Sequence, residues 1–196
     1  MDGPQSIAPS AARDAAAAKV VAILRGDRLR WRLLAVVGAL DLPDCWIGAG
    51  FVRNAVWDHL HGRAPSPLNG DVDVIWYDAD RTGANEDRRL EAALSRVEPS
   101  VAWSVKNQAR MHLRNADRPY ASSTDAMRHW PETATAVAAR RRHGDRCEVA
   151  APLGFDDLFG LVLRPTLRFA GGKRPVFEER IRTKAWRTRW PMLREA

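Results

Sequence analysis

Little in this sequence marks it for export, for a membrane or for a metal held by sulfur. Only two cysteines occur, Cys45 and Cys147, far apart and each among core-like residues, so the chain offers neither a disulfide framework nor a Cys-x-x-Cys or Cys/His ligand spacing. Both read as buried thiols. No apolar run approaches the length of a membrane helix, and the first residues, MDGPQSIAPSAARDAAAA, lack the charged-then-apolar layout of a secretory signal. The expected compartment is the cytoplasm. Three familiar catalytic signatures are also missing. AGGKRP at 170–175 lacks the spacing of a phosphate-binding Gly-x-x-x-x-Gly-Lys-Ser/Thr loop, and there is no Gly-x-Ser-x-Gly elbow and no His-Glu-x-x-His helix. His59 and His61 stand two apart on an expected helix and face different directions, which makes them surface residues rather than zinc ligands.

Acid is scarce in one region. The net charge of +7 lies in residues 164–196, where ten Lys and Arg stand against Glu178, Glu179 and Glu195, while the rest of the chain is balanced. A basic segment of this kind is a footprint for polyanions or, equally, a solvated arginine-rich helix. At 196 residues and 45% hydrophobic content the expectation is one domain with a sizeable core. Its parts are a disordered N-terminus at 1–10, a core at 11–163 and a basic helical extension at 164–196 packed on that core.

What is present centres on Trp46 to Asp78, WIGAGFVRNAVWDHLHGRAPSPLNGDVDVIWYD. Gly48 and Gly50 lie between apolar Cys45-Trp46-Ile47 and the helix-period run Val52, Ala55, Val56, Leu60, which predicts a strand, a tight turn and a helix start. Glycine there can take positive φ and leaves no Cβ to block a ligand, and the helix start offers free N–H groups to a phosphate. Arg53, in the first helical turn, adds a planar charged fork. After the loop marked by Pro65, Pro67, Asn69 and Gly70, the run Asp71-Val72-Asp73-Val74-Ile75-Trp76-Tyr77 reads as a strand. Strand side chains alternate, so Asp71 and Asp73 share one face and Val72, Val74 and Trp76 the other. Two neighbouring carboxylates repel unless a cation sits between them. Mg²⁺ (or Mn²⁺) on Asp71 and Asp73 suits that pair, because it prefers one or two carboxylates together with substrate phosphates.

The order Gly-x-Gly, Arg, helix, Asp-x-Asp resembles the polymerase β-like nucleotidyltransferase superfamily. GAGFVRNAVWDHLHG is most similar to the Gly-Gly-x-Val-Arg-Asp-x-Leu-Leu-Gly signature of tRNA CCA-adding enzymes, with Asn54 where they carry aspartate. Through VKNQARMH, PETATAV and EVAAPLGFDDLF the resemblance extends to a compact bacterial nucleotidyltransferase group and covers most of the chain from Trp46 onward. It implies an α+β fold with a mixed central sheet, flanking helices and a basic C-terminal helix. It also implies metal-dependent transfer of a nucleoside monophosphate from a nucleoside triphosphate to a hydroxyl acceptor, with Gly48, Gly50, Arg53 and Asn54 at the nucleotide; on the polar face of the strand from Val101, Lys106 or Arg110 is expected at the triphosphate, with solvent the alternative. The acceptor is open among a protein, a small molecule and a nucleic acid. Such enzymes use a third carboxylate on a later strand, and Glu148 in CEVAAP stands on the strand that resembles theirs. The alternative for Glu148 is a cross-strand pair with Arg140 or Arg146, and Glu132 in PETATAV is the next candidate. A catalytically silent nucleotide- or nucleic-acid-binding module on the same scaffold is the competing reading.

Flanking segments read as support. Two helices are predicted before Pro43. A third, opened by Asn85-Glu86-Asp87, presents Leu90, Ala93, Leu94 and Val97 inward. Val101 to Met111 alternates as a half-buried strand with Asn107 on its apolar side, where it must find hydrogen-bond partners. A hairpin is expected across His143-Gly144-Asp145. The last helix is expected to place Phe177, Ile181, Ala185 and Trp190 inward and Arg180, Lys184 and Arg187 outward.

Overall fold

A computed structural model describes residues 9–142 and 145–196. Helices α1 (Pro9–Gly26) and α2 (Arg28–Gly38) are joined at Asp27, whose carboxylate accepts from the Leu29 and Arg30 amides and pairs with the buried Arg30 guanidinium. Arg30 also donates to the Phe51 carbonyl at 2.9 Å and the Ser66 carbonyl at 3.2 Å, so it ties this helix start to the central stretch. Strand β1 (Trp46–Gly48) runs into α3 (Gly50–Leu60) and then β2 (Val72–Trp76), α4 (Ala84–Val97) and β3 (Trp103–Asn107). Short helices α5 (Met111–Asn115) and α6 (Ser123–Met127) precede β4 (Ala138–Arg141) and β5 (Cys147–Ala150). The remainder is α7 (Asp156–Phe159), β6 (Val162–Leu163), α8 (Leu167–Ala170), α9 (Arg174–Lys184), α10 (Trp186–Arg189) and β7 (Arg194–Glu195). No helix among the described residues is long and apolar enough to cross a membrane.

The central sheet has strand order β3-β2-β1-β4-β5, with β2 and β3 parallel and every other pair antiparallel. The parallel pair needs a crossover, which α4 supplies. Alternation sorts the two faces. Ile47, Val72, Val74, Trp76, Val105 and Ala139 enter the main core beneath α2, α3 and α4. Trp46, Ile75 and Ala138 form a smaller cluster on the opposite face with Met127 and Ala136, against which Trp130 packs. Asp73 belongs to this second face, two residues along β2 from Ile75.

Three expectations shift. The run from Val101 leaves the strand at Asn107, because the Asn107 side chain caps a following 3₁₀ turn: its Oδ1 accepts from the Ala109 amide at 2.9 Å. Its Nδ2 donates to the Asp78 and Arg81 carbonyls at 2.8 and 2.9 Å, which answers the need for partners of this buried amide. In α4, Leu90 and Leu94 are buried while Val97, in the last turn, is 61% exposed. At the end of the chain Ala185 is exposed. It takes a left-handed conformation that ends α9, and the turn brings Trp186 inward in its place. The tail packs firmly: Trp186 and Trp190 meet Trp57 edge to face at 5.8 and 5.2 Å between centroids, and Trp190 Nε1 donates to the buried Asp58 at 2.9 Å. Strand β7 then pairs parallel with β6. Residues 1–8 of the expected disordered segment, and His143 and Gly144 of the hairpin, lie outside the described residues.

Candidate active site

The turn from β1 to α3 is made by Ala49, which has φ 53° and ψ −127°, whereas Gly48 and Gly50 keep negative φ. The two glycines serve close approach instead. A Cβ on Gly48 would lie 2.8 Å from the Trp130 ring, and one on Gly50 would lie 3.4 and 3.5 Å from the Asn54 and Arg53 side chains. The Ala49 amide donates to the Val137 carbonyl at 3.0 Å and anchors the turn to the chain leading into β4. No side chain caps α3, so its first N–H groups point out of the turn without helical acceptors.

Asp73 lies beside this turn. Ile47 is opposite Val74, and continuing that antiparallel register brings Gly48 opposite Asp73. Asp71 precedes β2 on the same face and is exposed, whereas Asp73 is partly covered. Burial and the neighbouring Asp71 carboxylate push the Asp73 carboxyl up from its ordinary 3.8, and Arg180, Arg53 and Lys106 pull it down. The opposing acids thus repel, and three cations surround them. A divalent cation held by both acids would offset their mutual repulsion. Among the described residues no three His, Cys, Asp or Glu side chains gather around one point as metal ligands.

Arg53 is buried, and all three of its nitrogens are engaged. Nη1 donates to Thr135 Oγ1 at 2.7 Å, and Nε and Nη2 donate to Asn54 Oδ1 at 3.2 and 3.0 Å. Trp57 and Trp186 pack on the guanidinium at 4.8 and 4.2 Å, and burial lowers its pKa to about 10. Asn54 therefore serves the site through Arg53. Lys106 shares the sheet face of Asp73, and its ammonium is held by Glu91 Oε1 at 2.8 Å.

Glu148 is not brought to Asp73. It shares the sheet face, but β5 lies three strands from β2, about 14 Å at the usual strand spacing. Its carboxylate is gripped by Arg140 at 2.6 Å, with Arg146 and Arg142 at 3.5 and 3.7 Å, and these pull its pKa down despite partial burial. Glu132 lies nearer the turn: it is fully buried, accepts from Arg180 Nε at 2.6 Å and acts on the charge of Arg53. The outward expectation for Arg180 is thereby corrected, because the buried Glu132 draws that side chain inward. Helix periodicity marked Arg180 only as an outward cation, since its partner Glu132 stands in a distant segment. Burial also pushes the Cys45 and Cys147 thiols up to about 12 and about 11, so neither is a nucleophile.

A mixed five-stranded sheet that carries two acids on one face beside an uncapped helix start defines a nucleotidyltransferase head of the polymerase β-like class. A family model described as Nucleotidyltransferase matches residues 35–194, and the chain belongs to that family. An NMR structure that reveals a CCA-adding enzyme head domain is 32% identical, with a TM-score of 0.77 over 89% of this chain and 94% of that one. The apo form of a tRNA-processing enzyme shares the fold at 17% identity and a TM-score of 0.50, over 97% of this chain and 45% of that chain. No curated protein sequence matches.

Proposed function

We propose that the protein is a metal-dependent nucleotidyltransferase. It moves a nucleoside monophosphate from a nucleoside triphosphate to a hydroxyl acceptor and releases pyrophosphate. The observation that carries this reading is the placement of Asp71 and Asp73 on one sheet face, with Asp73 opposite Gly48 where the chain turns into α3. The free N–H groups of that helix start suit phosphate oxygens, and the helix dipole favours their charge. Asp71 and Asp73 would hold the divalent cation. When bound, Mg²⁺ or Mn²⁺ offsets charge that builds on the phosphate oxygens as pyrophosphate leaves. The Arg53 side chain, locked between two tryptophans, keeps the turn and Asn54 in place and adds fixed positive charge near Asp73. The chain's contribution is thus positioning and charge compensation.

A second reading, a nucleotide- or nucleic-acid-binding module without transfer, is favoured by the engagement of Glu148 with Arg140, Arg142 and Arg146, which leaves it away from the acid pair. One experiment separates the two. The protein is incubated with triphosphates labelled at the α-phosphate, Mg²⁺ or Mn²⁺ and cell extract as the source of acceptor. Transfer that disappears in Asp71→Asn and Asp73→Asn supports the enzyme; nucleotide binding with no transfer by the parent supports the module.

A further inference from the structure

Most arginines of α9 pair along their own helix: Arg174 with Glu178 at 2.9 Å and Arg182 with Glu179 at 2.6 Å. Arg180 does not. It crosses to Glu132, a carboxylate with no solvent exposure, and grips Oε1 through Nε alone. Its guanidinium also lies 5.5 Å from the Trp186 ring, whose other close cation is Arg53 at 4.2 Å. The grip leaves Nη1 and Nη2 with no acceptor among the described residues, and the side chain is 33% exposed. Arg53, by contrast, is buried with every nitrogen engaged. Of the two guanidiniums on Trp186, only that of Arg180 presents an unclaimed fork.

Arg180 is also tied to the start of α3, for it shares the Trp186 ring with Arg53, whose Nη2 lies 3.5 Å from where a Cβ on Gly50 would stand. A planar guanidinium held at Nε and lying over an indole has its two terminal nitrogens biased towards one orientation, and such a fork matches two oxygens of a phosphate. Glu132 and Trp186 together fix that plane.

We propose that Arg180 is a triphosphate-binding residue of this site, with Glu132 and Trp186 as the positioning residues that aim its fork, so that α9 is a wall of the nucleotide pocket. The inference rests on the transferase reading. Its rival is that Arg180 only neutralises the buried Glu132, a job that needs charge but no fork.

The test measures equilibrium binding of ATP, CTP, GTP, UTP and inorganic tripolyphosphate, each with Mg²⁺, to the parent and three variants. Arg180→Lys keeps the charge and loses the fork. The double variant Glu132→Gln/Arg180→Met removes the buried acid together with its partner, so neither charge is stranded. Arg182→Ala, on the same helix, is the control. Both Arg180 variants, folded as judged by melting, are expected to bind nucleotide and tripolyphosphate roughly ten- to a hundredfold more weakly, as befits loss of charge-assisted hydrogen bonds. In any transfer assay that responds, KM is expected to rise more than kcat falls, and Arg182→Ala to match the parent. Parental affinity in folded Arg180→Lys and in the double variant overturns the proposal and leaves the transferase reading standing. A parent that binds neither nucleotide nor tripolyphosphate overturns both.

Discussion

The acid pair was visible in the sequence because strand alternation is a local rule, and Asp-Val-Asp-Val-Ile obeys it without help from elsewhere in the chain. Arg53 illustrates the opposite case. Its place on the first turn of α3 was legible, but its partners Thr135 and Trp186 come from distant segments, and they turn an expected phosphate ligand into a buried strut. Asp73 leads to a prediction at this scale. Its pKa is raised in the folded protein, so the native state binds the proton more tightly than the unfolded chain does. Stability in metal-free buffer should therefore fall as the pH rises from the ordinary 3.8 through the raised value. In Asp73→Asn that part of the slope should vanish, and the variant should melt no lower than the parent at neutral pH while losing transfer. Thermal melts with a chelator across this range check it. A variant that melts well below the parent would show that the fold stabilises the charged carboxylate, the reverse of what burial beside Asp71 entails.

Among the elements, the helices and the Asp-x-Asp strand follow their periodicity, and the deviations occur where a single side chain redirects the backbone. Asn107 ends β3 by capping the next turn, which period-two alternation cannot foresee. At the β1–α3 turn the strained residue is Ala49, which occupies the position of the first glycine in the Gly-Gly-x-Val-Arg signature. A side chain at φ 53° costs on the order of 1–3 kcal/mol. Ala49→Gly relieves that strain and gives up one buried methyl, about 0.8 kcal/mol, so it should be as stable as the parent or more stable by up to about 2 kcal/mol. Ala49→Val, with a β-branched side chain at positive φ, should lose more than about 2 kcal/mol. Urea denaturation of both variants decides this, and equal stability of the valine and glycine variants would remove the strain argument.

Across the whole molecule, composition revealed a basic tail, yet how it joins the core was hidden until strands and helices were assembled. Sheet order is the reason Glu148 stays away from Asp73: two residues can share a face and still stand three strands apart. The tail binds through Trp186 and Trp190 on Trp57, and through the Trp190–Asp58 hydrogen bond. Burying an indole of this size is worth several kcal/mol, and Trp190→Ala should cost about 3–5 kcal/mol. Because those rings join the tail to the main core, unfolding should remain a single transition. Limited proteolysis of the parent should likewise not release residues 174–196 ahead of the core. A tail fragment cut early from a still folded remainder would show that the two halves are held separately.

The meeting of Gly48 with Trp130 also limits how such a chain can drift. A methyl group at position 48 would run into an indole that packs on the sheet's smaller cluster, so position 48 is not free to change while that ring stays. Drift towards a bulkier residue at the turn must wait for a slimmer one at 130, and relatives that keep the large ring should keep the bare backbone beneath it.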